Sequence, residues 1–305
     1  MEKTKQFLEK NKIEFILNFD VSLISSIKIG SILRLAVFPK SQKEFEKILV
    51  YFTSTRTYFK VIGNASNVLF LENVSYPVIV TNKMRDDIKI ENNMVEVSAG
   101  VALSKFCEVL KKNKLSGFEG LIGIPATVGG AIVCNAGAFG YSISDRLVKV
   151  KVFKNGRIFE LLSSEIKFAH HYSNLKGFIV LSAYFLFENR NEYDIINLCN
   201  EFTYLRNKLQ PSGLSLGSVY RKQNGKSAGF YIERAGLKGL RIGGVIVSNK
   251  HSNFFINDKF GSVMDFLRLS ALVEKTVEKQ FGVSLVPEIE KVGEKDEIVN
   301  RLSYS

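Results

Sequence analysis

The stretch GIPATVGGAIVCNAGAFG, residues 123–140, sets five glycines, four alanines and one proline in eighteen positions without a charge. A membrane helix needs about 20 apolar residues in a row. Pro125, Asn135 and the glycines interrupt this run, and no other segment resembles a span. Two readings stay open. Glycine reaches backbone angles closed to other residues, so the stretch is a cluster of turns. Alternatively, a large flat ligand lies against the backbone and side chains are kept out of its way.

The rest of the chain narrows the ligand. At 305 residues two domains are expected, and a hydrophobic share of 46% fits a substantial core. Only Cys107, Cys134 and Cys199 are present, with no CxxC pair, and only three histidines. Neither a disulfide framework nor a metal site is expected, which fits a reducing cytoplasm. The N-terminus, MEKTKQFLEKNKIEF, is charged and lacks the apolar core of a secretory signal. Net charge is +12, but the bases are interleaved with acids and no purely basic run exceeds two residues. That pattern favours an anionic small molecule over nucleic acid.

Periodicity gives an alternation of strands and helices. LRLAVFP reads as a strand, and SQKEFEKILVYF as a helix capped by Ser41, with Phe45, Ile48, Leu49 and Phe52 on one face. YFKVIGNASNVLFLE reads as strand, tight loop, strand. VIVTN and MVEVSAG continue as strands, and LSKFCEVLKKN is a short amphipathic helix. LVKVKVF and FIVLSAYFLF are strands. EYDIINLCNEFTYLRNKL is a helix facing inward through Ile195, Leu198, Cys199, Phe202 and Leu205. The polar ENRNE places a change of module near residue 190. Strands GGVIVS and FFIN follow. A last helix carries Val263, Phe266, Leu267, Val273 and Val277 at burial spacing. No internal repeat is visible, and the order of elements fits an α+β protein with mixed sheets.

Three further segments look chemical. GNASN, Gly63 to Asn67, is either a hairpin turn or a concavity of backbone N–H groups that holds an anion. Neither it nor the 123–140 stretch matches a dinucleotide or Walker fingerprint. Leu216 to Asn257 carries GSVYRK, several glycine turns, a Lys-His pair and several arginines; its plain reading is a surface β-region. Glu288, in LVPEIEKVG, is by its plain reading a half-exposed strand residue.

Together these segments resemble the UDP-N-acetylenolpyruvoylglucosamine reductases (UDP-N-acetylmuramate dehydrogenases, MurB), from about Ile27 to Gly293. IGNASNVLF resembles the family's pyrophosphate loop, and GLIGIPATVGGAIVCNAGAFG its isoalloxazine-facing segment. GSVYRK, AGLKGLRIGGVIVSNKHSNFFIN and VPEIEKVG resemble its substrate domain, in the family's order. The length fits the shorter type, without the substrate-domain insertion. The resemblance implies an α+β chain: a vanillyl-alcohol-oxidase-type FAD-binding domain over 1–190, with subdomains at about 1–80 and 81–190, then an α+β substrate-binding domain over 191–305. It implies noncovalent FAD, with NADPH as co-substrate and a UDP-sugar as substrate. The setting implied is peptidoglycan precursor synthesis, hence cell wall biogenesis, cell shape and cell division. It implies no nucleic-acid partner and no membrane insertion.

The implied cofactor residues are Gly63, Asn64, Ala65, Ser66, Asn67, Gly123, Ile124, Pro125, Thr127, Gly129, Gly130, Asn135, Gly137 and Ala138. In the family's chemistry, hydride reaches the β-carbon of the enolpyruvyl group and charge grows at the α-carbon and carboxylate. That charge must be stabilised where it appears, and a proton must reach the α-carbon. Ser218 matches the family's proton-donating serine and Glu288 its supporting glutamate. The family's F-G-Y-R-x-S motif is FAHHYS here, so His171 stands at the arginine position and His170 at the tyrosine. Arg221, Lys222, Arg241 and His251 are the implied substrate-binding residues. Smaller departures are Ser31, Ala65 and Ala126 for glycines and Gln223 for a proline. A relative that binds FAD or a nucleotide-sugar without turnover is the second reading, because arginine is always charged and histidine is not.

Overall fold

The computed structural model describes residues 1–84 and 88–293. It is α+β, and the described chain divides into two compact units. Unit 1 comprises residues 1–17, 35–64 and 76–205; unit 2 takes 18–34, 65–75 and the chain from 206 on. Where the sequence shows one change of module near residue 190, the units pass into each other several times, the last passage falling inside the helix Glu192–Leu209.

Unit 1 centres on a five-stranded antiparallel sheet. Its order is Arg157–Leu162, Leu147–Lys154, Ile179–Leu186, Met94–Ser98, Ile88–Glu91. The helices Leu103–Lys112 and Val128–Cys134 cover it, and Phe106, Leu110 and Ile132 meet Val95, Val97, Val150 and Phe185 in one core. A second core lies under the helices Glu2–Lys10 and Gln42–Ser54. The latter begins as expected: Ser41 Oγ accepts from the Glu44 N–H at 3.2 Å, and Glu44 reaches back to the Lys40 N–H at 2.8 Å. Phe45, Ile48, Leu49 and Phe52 are all fully buried, which stabilises by roughly 1.5–3 kcal/mol each.

Unit 2 is built on the helix Val263–Phe281, opened by a capping box between Ser262 and Asp265 and closed by Gly282 at φ +64°. Phe266, Leu269, Val273 and Val277 pack against Tyr231 and Ile232 of the helix Ala228–Arg234, and against the antiparallel strands Arg241–Ile242, Val245–Val247 and Phe255–Asn257. Val68–Phe70 pairs in parallel with Glu290–Val292.

Three elements depart from the sequence reading. Residues 123–140 are neither all turn nor all extended: Val128–Cys134 is a helix, capped by Thr127 and ended by Asn135 at φ +45°. The region 216–257, read as β with glycine turns, contains the helix Ala228–Arg234 behind a Ser227 cap. The loop at Gly63–Asn67 does not close a hairpin. The strand before it, Lys60–Ile62, pairs in parallel with residues 78–80 of the strand Val74–Val80, and the strand after it pairs with Glu290–Val292.

Candidate functional site

Four loops of unit 1 converge where the parallel strands Lys60–Ile62 and Val74–Val80 end. Ile62 stands opposite Val80, so Gly63 and Thr81 leave the sheet side by side. Thr81 Oγ1 donates to the Ile62 carbonyl at 3.2 Å. Residues 99–101, which follow the strand Met94–Ser98, form the third loop: a Cβ on Gly100 would stand 2.5 Å from the Thr81 carbonyl oxygen. The fourth is Thr127 to Gly130. The Val128 and Gly129 N–H groups donate to the Val101 and Ala99 carbonyls at 2.9 and 2.8 Å. A Cβ on Gly129 would lie 2.7 Å from that of Ala99, and one on Gly63 would lie 2.4 Å from Thr127 Oγ1.

The glycines thus have two different reasons to be there. Gly63, Gly129 and Gly137 are bare because protein lies against them; at Gly137 the obstacle is the Tyr141 carbonyl. Gly123, at φ +80°, and Gly130 are exposed, as is Pro125. They form the open, uncharged part of the stretch, with Ile124 and Ala138 half-buried beside them in sequence.

FAD fits this constellation. Its uncharged surface suits a flat ring, its glycines leave the backbone approachable, and two buried side-chain oxygens, Asn82 Oδ1 and Asn135 Oδ1, lack a hydrogen-bond partner among the described residues. A buried acceptor calls for a donor. Asn82 and Gly100 are absent from the sequence-based set. For Gly100 the signal was the SAG that ends MVEVSAG, a small-residue turn after a strand.

The hairpin that carries His171 is fastened to the same helix. Asn135 Nδ2 donates to the Ala169 carbonyl at 2.8 Å, and Ser173 Oγ donates to the Val133 carbonyl at 2.7 Å. Between the paired ends, Phe168–Ala169 and Tyr172–Ser173, His170 and His171 make the turn, His171 at φ +51°. Their rings meet edge to face at 4.2 Å. Histidine tolerates this left-handed conformation better than a branched residue does.

In unit 2 the segment Ser218–Arg221 runs between two others. On one side the Val219 N–H donates to the Asn253 carbonyl at 2.8 Å, and Ser218 is bridged to Phe254. On the other the Glu288 N–H donates to the Val219 carbonyl at 2.8 Å and the Arg221 N–H to the Val286 carbonyl at 2.9 Å. Glu288, 67 residues from Arg221 and 70 from Ser218 in sequence, is thereby brought beside the segment that carries them. Ser218 and Glu288 are half-buried; Arg221 and Lys222 are exposed. Burial raises the Glu288 carboxyl to about 7, against the opposing pull of the Arg221 charge. Asn67 joins this group: its Nδ2 lies 3.4 Å from the Glu288 carbonyl, and its own carbonyl accepts from the Glu290 N–H at 2.8 Å.

Two of the implied anion binders are otherwise engaged. Arg241 presents its fork to Asp258, the second bond at 2.6 Å, and each side holds the other in its charged form. His251 is pushed toward the neutral form by burial, and its Nδ1 accepts from the Asn253 N–H at 3.3 Å.

Two family descriptions match the chain: an FAD binding domain over residues 33–161, and the C-terminal domain of UDP-N-acetylenolpyruvoylglucosamine reductase over residues 210–292. The UDP-N-acetylenolpyruvoylglucosamine reductase of Caldanaerobacter subterraneus subsp. tengcongensis is 37% identical over 299 residues, covering 97% of this chain and 98% of that one. The Lactococcus lactis subsp. cremoris reductase (strain MG1363) is 35% identical over 91% of this chain and 94% of its own. Among solved structures, that of the Thermus caldophilus reductase superposes with a TM-score of 0.77 at 29% identity, covering 92% of this chain and 98% of that one.

Proposed function

The chain belongs to the UDP-N-acetylenolpyruvoylglucosamine reductase family, and from that premise we propose that it is itself the reductase. It is an FAD-dependent oxidoreductase of peptidoglycan precursor synthesis, reducing the enolpyruvyl group of UDP-N-acetylglucosamine enolpyruvate to UDP-N-acetylmuramate. NADPH is the reductant in this reading and the cytoplasm the setting. Among the described residues no helix is long and apolar enough to cross a membrane.

Bound FAD supplies the relay of hydride from NADPH to the β-carbon of the substrate. The residues that would hold it in unit 1 are Gly63, Asn64, Gly123 to Pro125, Thr127, Gly129, Gly130, Asn135, Gly137 and Ala138. Ala65 to Asn67 continue the phosphate loop. FAD is noncovalent in this reading, since His170 and His171 lie outside the two loops, Gly63–Asn67 and Gly123–Gly140, that would hold it.

The chain's own chemistry concerns a proton and a charge. Ser218 donates the proton to the α-carbon. A lone serine is a weak acid, so the role needs polarising neighbours, and Arg221 lies three residues on. Glu288, held near 7, is protonated in a sizeable fraction of molecules at neutral pH. In that form it donates a hydrogen bond to the carboxylate side of the developing enolate. His171, as imidazolium, supplies the positive charge that the family places there with arginine. Lys222, Arg241 and His251 remain candidates for the nucleotide-sugar; Arg241 acts there only by sharing its fork with Asp258.

The observation that carries this reading is that Ser218 and Arg221 lie on a segment bridged to the one that carries Glu288, whose carboxyl is raised to about 7. The test is NADPH consumption by the purified yellow protein, with and without the enolpyruvyl substrate. The product is identified by its mass, and flavin release is followed on acid precipitation. Substrate-dependent consumption with UDP-N-acetylmuramate formed is expected, with all flavin in the supernatant. Bound FAD without any turnover would instead select the non-catalytic relative.

A further inference from the structure

Tyr220 lies between Ser218 and Arg221, and two elements of unit 2 grip it at once. Its backbone faces a side chain. The Tyr220 N–H donates to Asn253 Oδ1 at 3.0 Å, and Asn253 Nδ2 donates back to the Tyr220 carbonyl at 2.8 Å. The Asn253 carbonyl also accepts from the Val219 N–H at 2.8 Å. One buried amide therefore serves as an additional stretch of strand, and the register of residues 218–221 depends on it.

The ring is gripped from another element. Tyr220 is 1% exposed and meets Phe255 edge-on at 6.0 Å. Its phenol donates to the Ser270 carbonyl at 3.3 Å, under the influence of the Glu274 carboxylate. Ser270 and Glu274 stand one turn apart on the helix Val263–Phe281. Ser270 Oγ and Glu274 Oε1 are buried without a partner among the described residues. Filling the space needs only a ring. A hydroxyl and a carboxylate brought into such a place are unfavourable unless well paired, so packing does not account for them. Position does: the phenol fixes how far residue 220 sits along and above its neighbours.

We infer that Tyr220, clamped by Asn253 and anchored through its phenol on the Ser270 carbonyl, is a positioning residue that sets the segment of Ser218 and Arg221 against that of Glu288. The inference rests on the reductase reading. The mechanical path is short. Val219 is bonded to Glu288 and Tyr220 is bridged to Pro287, so a slip at 220 shifts the segment 218–221 along the one that carries Glu288. A displacement of about 1 Å at reacting groups is enough for a ~100-fold loss of rate.

The test uses the FAD-loaded full chain. Tyr220→Phe keeps the ring and deletes only the hydroxyl. Stopped-flow traces give flavin reduction by NADPH and reoxidation by the enolpyruvyl substrate separately; calorimetry gives affinity for UDP-N-acetylmuramate; melting gives stability. Reoxidation should slow about tenfold, while reduction and affinity stay within twofold. The double variant Tyr220→Phe/Glu274→Leu replaces both polar partners with apolar groups, which removes the unpaired carboxylate. It should regain melting temperature without regaining rate. Wild-type reoxidation in Tyr220→Phe overturns the inference, and so does a rate that returns together with melting temperature in the double variant. A wild-type protein that NADPH reduces and the enolpyruvyl substrate never reoxidises defeats the reductase reading, and this inference with it. Wild-type turnover with unaltered variants defeats this inference alone.

Discussion

In unit 1 the candidate residues are held by backbone and by missing side chains. The Val128 and Gly129 N–H groups bind the loop 99–101, and Gly63 rests on Thr127 because it has no Cβ. In unit 2 the candidates are held by side-chain amides and shifted by burial, as Asn253 and Glu288 show. The first arrangement suits a ligand that keeps one shape and needs a wall. The second suits a reaction in which charge moves and a proton must be poised. The two should therefore fail differently: the first to added volume, the second to lost polarity or changed pH.

Added volume should give the largest effect. Gly129→Val puts a branched side chain where even a Cβ stands 2.7 Å from Ala99. Overpacking of this kind costs about 1–3 kcal/mol or more, and it falls on the cofactor loops. The purified variant should be colourless, read as the ratio of flavin to protein absorbance. A yellow, stable Gly129→Val would break the comparison, since unit 1 would then tolerate volume. Lost polarity comes next. Ser218→Ala should slow reoxidation by the enolpyruvyl substrate by about 10²–10⁴-fold, the usual range for a positioned proton donor, and leave reduction by NADPH intact. Equal slowing of both half-reactions would make Ser218 structural.

The two regions also differed in how far the sequence disclosed them. The helix under Ser41 and the strands flanking it were legible because propensity, cap and burial agree there. The open, uncharged character of 123–140 was legible because its composition is contiguous. Its internal helix was not, because Val128–Cys134 is short, contains two glycines and owes its place to Ala99 and Val101. Asn82 was missed because nothing local marks a buried oxygen without a partner. In unit 2, Ser218 and Glu288 were visible only through family resemblance, since a lone serine and a lone glutamate carry no pattern. Asn253 could not be read at all, because its work is done on the backbone of a residue 33 positions away. Nor does sequence show that the loop at Gly63–Asn67 joins strands with different partners.

Changed pH sharpens the contrast from the side of unit 2. A carboxyl raised to about 7 holds its proton more tightly folded than unfolded. Its cost to stability is absent below about 4.5, grows as pH rises, and is fully present above about 7, on the order of 3 kcal/mol. Glu288→Gln should therefore gain melting temperature relative to wild type between pH 5 and pH 8. Wild-type reoxidation should fall above pH ~7 as the carboxyl ionises, and Glu288→Gln should lose that fall. A gap in melting temperature that does not change with pH would mean that the carboxyl is not raised. His171 gives a smaller effect of the same kind. Histidine ordinarily titrates near ~6.5, so an imidazolium role adds its own alkaline limb to the reoxidation profile. His171→Arg should remove that limb and raise the rate several-fold at pH 8, with the Glu288 limb left in place. If His171→Arg abolishes turnover while His171→Ala is harmless, the positive charge comes from another residue.

The smallest expected effect lies at Ala65, in the loop proposed to hold the FAD phosphates, where the family resemblance leads one to expect glycine. Ala65 takes φ +47° and is 3% exposed, and its carbonyl accepts from the Ser26 N–H at 3.4 Å. Left-handed backbone costs an L-residue roughly 1–2 kcal/mol. Ala65→Gly removes that strain. The same change frees the unfolded chain by about 0.4–1 kcal/mol and gives up a buried methyl worth about 0.8 kcal/mol. The opposing contributions nearly cancel, so melting should shift by no more than the equivalent of ~1 kcal/mol. Because the backbone already has the glycine-like shape, the dissociation constant for FAD should change less than threefold. Ala65→Val, with a branched side chain in the same conformation, should by contrast lose both stability and flavin. If Ala65→Gly loosened FAD more than tenfold, the methyl itself would be a cofactor contact. Ala65 belongs to unit 2, and the loop would then hold its ligand partly through a side chain, as the rest of that unit holds its candidates.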